Sequence, residues 1–165
     1  MRLITLVLGF MLIGVWLNIV LNSYVHLGGL KINWILIFMF VLTFRHSTNL
    51  LPFFGILAGL ICDALSHGIM GLYAISFFMT LLLARLLIKL FYANTFFTAS
   101  LAVLSMSLLE GWISLLILDM LEADIDKTSL MITITLPLSV LHALVTPLVL
   151  QSVIWGENLF LRDIS

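Results

Sequence analysis

The sequence PFFGILAGLICDALSHGIMG, residues 52–71, decides the fold of this chain. The segment is apolar and long enough to lie within a membrane, yet Gly55, Gly59 and Asp63 recur in it at intervals of four residues. Residues four apart are neighbours on one face of a helix. Glycines on that face let a second helix approach closely, and a carboxylate cannot favourably face lipid tails. The sequence therefore predicts a helix whose glycine and aspartate stripe faces protein.

The rest of the chain is equally apolar. Of its 165 residues, 63% are hydrophobic and 9% are charged, whereas soluble domains contain about 25% charged residues. Long apolar runs with few charges recur along the sequence, which is the pattern of membrane-spanning helices. We expect one integral membrane domain, residues 1–165, folded as an all-α bundle. The net charge of -1 gives no reason to expect a nucleic-acid partner.

Short polar and glycine-containing breaks divide the chain into six predicted spans. They fall at about 3–22, 31–44, 50–66, 71–91, 96–119 and 129–154. The second and third are short for a hydrocarbon core of about 30 Å at about 1.5 Å per residue. No small-residue cleavage motif follows the first run, so we expect it to be retained as a helix.

The distribution of cations predicts the orientation of the spans. One side of a six-span arrangement carries Arg2, Arg45, Arg85, Lys89 and Arg162, and the other carries Lys31 and Lys127. Cytoplasmic segments hold the excess of Lys and Arg, so both termini are expected in the cytoplasm. A five-span arrangement would move Arg162 to the other side and weaken this asymmetry without removing it.

Two carboxylates inside the predicted spans are candidates for chemistry. Asp63 lies about 21 Å along its helix from the cytoplasmic start, at about 1.5 Å per residue, and Glu110 comes out at nearly the same depth. If the two meet, repulsion and desolvation favour protonation of one of them, as in a proton or ion relay. Alternatively, Asp63 accepts hydrogen bonds from the following turn and a neighbouring helix and fixes their packing. His67, one turn later, is a candidate partner for Asp63.

The last predicted span carries Pro137, His142 and Pro147. Two prolines ten residues apart predict a bent helix with free backbone carbonyls. The bend either shapes the bundle or opens a binding pocket near the midplane, as in transporters. We expect His142 to be a buried hydrogen-bonding residue. Cations near the cytoplasmic ends of the helices are expected to contact lipid head groups or cytoplasmic partners.

Other kinds of site find little support in the sequence. The acidic residues Asp119, Glu122, Asp124 and Asp126 lack the glycine and terminal glutamate of a calcium-binding loop. Cys62 is the only cysteine, which excludes an intramolecular disulfide and a cysteine metal cluster. No serine-hydrolase, zinc-protease or phosphate-loop motif is found. We therefore expect no enzyme, no cofactor and no metal.

The stretch across residues 31–90 resembles a known bacterial family. The run GILAGLICD at 55–63, the sequence GLYA at 71–74 and the tripeptide Ile32-Asn33-Trp34 are similar to the pattern of the rod shape-determining protein MreD family. Two positions depart from that pattern. Ile32 stands where the family usually has proline, and Thr80-Leu81 stands where an aromatic residue often occurs.

This resemblance implies a non-enzymatic subunit of the cell-elongation complex in the bacterial inner membrane, which supports peptidoglycan synthesis and cell shape. MreD proteins bind the bitopic scaffold MreC and work with MreB, RodA and a class B penicillin-binding protein. On this reading the packing or partner interface comprises Gly55, Gly59, Asp63, Gly68 and Gly71. That stripe either forms a groove for the membrane helix of the partner or packs internally against the fourth helix.

The resemblance also implies an alternative function. MreD-like chains resemble, in their six-helix architecture, the substrate-binding S components of energy-coupling-factor vitamin transporters. In such a protein Asp63 and Glu110 would line a ligand pocket. For either function we expect Asp63, Glu110 and His142 to be buried polar residues.

Overall fold

The computed structural model of the chain is an all-α bundle, and it describes residues 2–24, 30–46, 48–66, 69–87, 96–121 and 126–161. Its helices are α1 (Arg2–Tyr24), α2 (Trp34–Arg45), α3 (Leu51–Ser66), α4 (Leu72–Leu87), α5 (Phe96–Met120), α6 (Lys127–Leu130) and α7 (Leu136–Leu161). A π-helical turn, Met131–Thr135, joins α6 to α7 into one continuous helical segment. Each predicted span corresponds to one of the six resulting segments, so the predicted six-helix bundle is confirmed.

Apolar side chains cover the outside of the bundle, and polar side chains lie within it. Large exposed residues include Leu12 and Trp16 on α1, Phe97 on α5 and Leu144 and Leu148 on α7. The buried polar residues are Thr43, Asp63, Ser76, Thr80, Ser107, Ser139, His142 and Thr146. Among the described residues, three helical segments, Arg2–Tyr24, Phe96–Met120 and Lys127–Leu159, are long and apolar enough to cross a membrane. This distribution is that of a membrane protein.

Helix α2 is the centre of the bundle. All of its residues from Ile35 to Phe44 are buried, and it packs against α1, α3, α4, α5 and α7. A helix that is apolar on every side is stable in this position because every side meets another helix. With 12 residues, α2 is about 18 Å long, which is shorter than a hydrocarbon core of about 30 Å.

The N-terminus of α2 lies inside the bundle. At its C-terminal end Arg45 contacts Glu157 near the end of α7, whereas Asn33 at the other end contacts His142 of α7. The fifteen residues between these two α7 positions correspond to about 22 Å of helix. Because α7 continues beyond His142 towards α6, the chain enters the bundle before α2 begins.

The irregular part of the last segment is the π turn, which directly precedes Pro137. The amide of Leu136 donates to the carbonyl of Met131, five residues back. Pro137 directly follows this turn, where its missing N–H coincides with an interruption of the regular α-helical hydrogen-bond ladder. The helix continues through Pro147. One of the two prolines that were predicted to bend this helix, Pro137, is therefore adjacent to an irregular turn.

Candidate functional site

Asp63 closes the N-terminus of α4. Its Oδ2 accepts hydrogen bonds from the amides of Gly71 at 2.9 Å and Ala74 at 3.3 Å, and its Oδ1 accepts one from the amide of Tyr73 at 2.9 Å. The first N–H groups of a helix have no partner within the helix, and a carboxylate also interacts favourably with the helix dipole. The buried Asp63 is thus a cap of α4 supplied by the preceding helix. This contact agrees with the prediction that Asp63 accepts hydrogen bonds from the following turn and fixes helix packing.

Gly71 turns the chain into this arrangement. Its φ of +97° lies in the left-handed region, which L side chains rarely adopt. The residues just before it, His67 and Gly68, lie outside the described residues.

The glycines of the stripe lie directly against α4. A Cβ atom added to Gly59 would lie 2.4 Å from the Cα of Ala74, and one added to Gly55 would lie 2.6 Å from Cδ1 of Leu81. Backbone therefore meets backbone at Gly59, as in close helix pairs in membranes. We refer to Gly55, Gly59, Asp63, Gly71 and Ala74 together as the α3–α4 interface. Of the two predicted alternatives for this stripe, the structure shows internal packing against the fourth helix, and α4 occupies the face that a partner helix would otherwise contact.

Glu110 is held separately from Asp63. Its Oε1 accepts hydrogen bonds from the hydroxyl of Ser114, one turn along α5, at 2.9 Å and from the hydroxyl of Ser76 on α4 at 3.2 Å. Within the described residues, no hydrogen bond joins the carboxylates of Asp63 and Glu110. Each carboxylate therefore has its own donors, and the contacts support the packing alternative for Asp63 over the relay alternative.

A second polar region surrounds the N-terminus of α2. We call it the α2 cap cluster, and its members are Asn18, Asn22, Asn33, Cys62, Ser107 and His142. Three of them accept hydrogen bonds from three backbone amides near the helix start. His142 Nε2 accepts from the amide of Asn33 at 3.1 Å, Asn18 Oδ1 from that of Trp34 at 3.0 Å, and Asn33 Oδ1 from that of Leu36 at 3.2 Å. These bonds supply partners for amides that would otherwise be unsatisfied inside the bundle.

The same cluster fixes the state of His142 and ties further helices together. Because Nε2 accepts a hydrogen bond, Nδ1 carries the hydrogen of the neutral ring and donates to Ser107 Oγ at 2.7 Å. Asn22 donates to the carbonyl of Ile32 at 3.0 Å, and the side chain of Asn33 contacts Cys62 Sγ at 3.6 Å. The expectation that His142 is a buried hydrogen-bonding residue is confirmed. Sequence reasoning missed the roles of Asn18 and Asn33.

A third cluster closes the opposite end of α2. Arg45 donates to Glu157 from Nε at 2.7 Å and from Nη2 at 2.5 Å, and His46 Nε2 lies 2.9 Å from the same carboxylate. Two-point contacts of this kind fix orientation as well as contributing energy. Arg45 was expected to contact lipid or a cytoplasmic partner, and instead it links α2 to α7. Glu157 was not singled out from the sequence, although it is an isolated carboxylate near the end of an apolar helix.

The acidic region at the other end of the bundle contains an ion pair and a groove. Lys127 pairs with Asp119 Oδ1, and Asp126 Oδ1 caps α6 by accepting from the amide of Ser129 at 3.2 Å. Glu122 and Asp124 lie outside the described residues. Beside the ion pair is a cavity of about 290 Å³, which we call the α5–α6 groove. Its apolar lining is Trp112, Leu115, Leu116, Met131 and Ile132, and its polar rim is Asp119, Lys127 and Thr128.

Comparison of the chain with protein-family models, curated proteins and solved structures found no match. Within the described part of the chain, no group of three or more His, Cys, Asp or Glu side chains is placed to hold a metal ion.

Proposed function

We propose that this chain is a non-enzymatic subunit of a bacterial inner-membrane complex and acts by binding a membrane-spanning partner. The observation that carries this proposal is the α3–α4 interface. The residues that resemble the MreD pattern, from Gly55 through Asp63 to Ala74, contact one another across two helices. A pattern that builds an internal contact supports a structural role for the chain, since a catalytic pattern would place reactive groups on an accessible surface.

The proposed complex is the cell-elongation machinery. The partner in direct contact is a bitopic scaffold of the MreC type, and RodA, a class B penicillin-binding protein and MreB are reached through the complex. With α4 covering the glycine stripe, the partner helix binds the apolar exterior of the bundle. Membrane helices associate mainly through van der Waals packing and occasional hydrogen bonds. Exposed apolar residues on α1, α3, α4, α5 and α7 offer faces for that contact.

The orientation follows from charge. With six membrane crossings, both termini share one side of the membrane with Arg2, Arg45 and Arg85, and Lys31 and Lys127 belong to the other side. Both termini are therefore proposed to be cytoplasmic. Lys89 and Arg162, which contribute to the same asymmetry, lie outside the described residues.

The vitamin-transporter alternative has less support from the contacts. A ligand pocket needs polar groups that are free to meet the ligand. Asp63, Glu110 and His142 each have hydrogen-bonding partners inside the bundle. Binding a vitamin through these side chains would require those contacts to open.

Affinity purification from native membranes in mild detergent, followed by mass spectrometry, tests the proposal. We expect a single-span scaffold and a cell-wall synthase to be recovered with the chain. Recovery of paired ATPases with a transmembrane coupling subunit would contradict the proposal and favour the transporter.

Photo-crosslinking residues placed at three exposed positions would then locate the partner. Leu12 on α1, Leu101 on α5 and Leu144 on α7 face outward, and Val153 on α7 is buried and serves as the control. We expect at least one exposed position, and not position 153, to crosslink to the single-span scaffold. Crosslinking from position 153 alone would contradict the proposal that the partner binds the exterior.

A further inference from the structure

The α5–α6 groove opens beside exposed side chains at one end of the bundle. Leu116, on its apolar wall, is 54% exposed, and the charged side chains of Lys127 and Asp119 at its rim are 50% and 52% exposed. Along α5 the groove runs from Asp119, one residue before the helix ends, down to Trp112. Seven residues of helix correspond to about 10 Å. The groove therefore extends from the membrane surface into the hydrocarbon layer.

The shape and lining of the groove suit one end of a lipid chain. An acyl chain gains no hydrophobic free energy by moving from the bilayer into the groove, because lipid tails are as apolar as leucine side chains. The chain does make dispersion contacts with the walls of the groove on several sides. The side chains that line the groove would lack these contacts if it were empty. Selection among lipids must therefore come from the head group at the rim.

The rim of the groove offers both hydrogen-bond donors and hydrogen-bond acceptors to a ligand. Lys127 pairs with Oδ1 of Asp119, and within the described part of the chain no hydrogen bond to Oδ2 of that carboxylate is found, so Oδ2 can accept from a cation. The ammonium of Lys127 has three N–H donors, so two remain for an anionic oxygen. The carboxylate of Asp126 adds a further negative charge nearby. The described charged groups here, Asp119, Asp126 and Lys127, sum to one net negative charge, which disfavours an anionic head group.

We propose that the α5–α6 groove binds a phospholipid with a zwitterionic ethanolamine head group. Its acyl chain lies against Leu116 and Ile132, its phosphate accepts from Lys127, and its ammonium donates to Asp119. This site does not depend on the proposed function, since it involves neither the α3–α4 interface nor a protein partner.

Native mass spectrometry of the full chain tests the site. The protein is purified in mild detergent and mixed with equal amounts of phosphatidylethanolamine and phosphatidylglycerol of identical acyl chains. We expect adducts of the ethanolamine lipid to exceed those of the glycerol lipid about tenfold, the factor that corresponds to about 1.4 kcal/mol. Asp119→Asn should reduce this preference towards equality. Equal adducts in the unaltered protein would overturn the proposal.

A matched pair of variants locates the adduct. Leu116→Trp fills the groove, whereas Leu101→Trp places the same side chain on the same helix at a position of similar exposure, 50%. We expect Leu116→Trp to lose the bound ethanolamine lipid and Leu101→Trp to retain it, with unchanged melting temperatures for both. Retention by Leu116→Trp would overturn the assignment. So would a polypeptide, in place of lipid, captured by a photo-crosslinker at position 116.

Discussion

Two helices of this bundle, α4 and α2, have buried N-termini that are capped in different ways. One side chain, that of Asp63, accepts hydrogen bonds from three backbone amides at the start of α4. Asp63 lies only 8 to 11 residues before these amides in the sequence. At the start of α2 three neutral side chains accept the hydrogen bonds of the backbone amides. One of them, His142, lies 109 residues away in the sequence from Asn33, whose amide donates to it. The first cap is local and concentrated in one residue. The second is distributed over several helices, so it fixes their mutual positions.

The largest effect is expected from crowding the α3–α4 interface. Gly59→Leu places atoms where the backbone of Ala74 already lies, and backbone cannot move aside as a flexible side chain can. We expect a loss in the free energy of unfolding of at least about 3 kcal/mol, the upper part of the range for overpacking. Gly9→Leu is the control, because nothing lies within 4 Å of a Cβ at that position. Equal stability of the two variants in detergent unfolding would show that α3 and α4 are not in contact at Gly59.

The next largest effect is expected from removing the concentrated cap. Asp63→Ala leaves the amides of Gly71, Tyr73 and Ala74 without their acceptor, at a cost of about 3 kcal/mol in the free energy of unfolding. Asp63→Asn keeps one oxygen acceptor and should lose about half as much. Reversible unfolding in mixed micelles measures both values. If Asp63→Ala and Asp63→Asn unfold alike and close to the unaltered protein, the cap is not formed.

Smaller effects are expected from single changes in the distributed cap. Asn18→Ala removes the acceptor of one amide, that of Trp34, and should lower the free energy of unfolding by about 1 to 2 kcal/mol. His142→Ala removes the acceptor of the Asn33 amide together with the bond to Ser107 and should cost somewhat more, through the loss of packing. Each loss is expected to be below that of Asp63→Ala in the same assay. If either of these α2 variants lost more free energy of unfolding than Asp63→Ala, the conclusion that the cap of α2 is distributed over several residues would be wrong.

The smallest effect is expected at the other end of α2. The Arg45 and Glu157 side chains are partly exposed, and ion pairs near the surface contribute about 1 kcal/mol or less. Glu157→Gln should therefore change the unfolding free energy by no more than about 1 kcal/mol, and by less at high salt. A salt-independent loss of several kcal/mol would indicate that this cluster is as important to the bundle as the two N-terminal caps.

The features that could be predicted from the sequence are the helices themselves and the contacts between residues close together in the chain. Apolar runs and breaks between them were sufficient to place the six helices, because membrane spans are defined by length and composition. The contact of Asp63 with the start of α4 was among the predicted alternatives, since both partners belong to one short stretch. The close packing of Gly55 and Gly59 against another helix followed from their spacing.

The contacts that sequence reasoning missed join distant parts of the chain. An all-apolar helix such as α2 has the same composition whether lipid or other helices surround it, so its central position could not be predicted from hydropathy. Depth along the membrane placed Asp63 and Glu110 at one level, but depth does not tell which way each side chain points around its helix. The pairing of Asn18 and His142 with α2, and of Arg45 with Glu157, depends in the same way on helix arrangement.

The region around Asp63 is a closed internal contact and not an accessible site. Cys62, the only cysteine, is buried next to Asp63 and belongs to the α2 cap cluster through its contact with Asn33. Its labelling by a small membrane-permeant maleimide in native membranes therefore measures directly whether this region is closed. We predict no labelling of Cys62 until the protein is unfolded in detergent, whereas a cysteine introduced by Ser129→Cys, at an exposed position, is labelled at once. Rapid labelling of Cys62 in the native state would contradict the account and reveal a water-filled pocket beside Asp63.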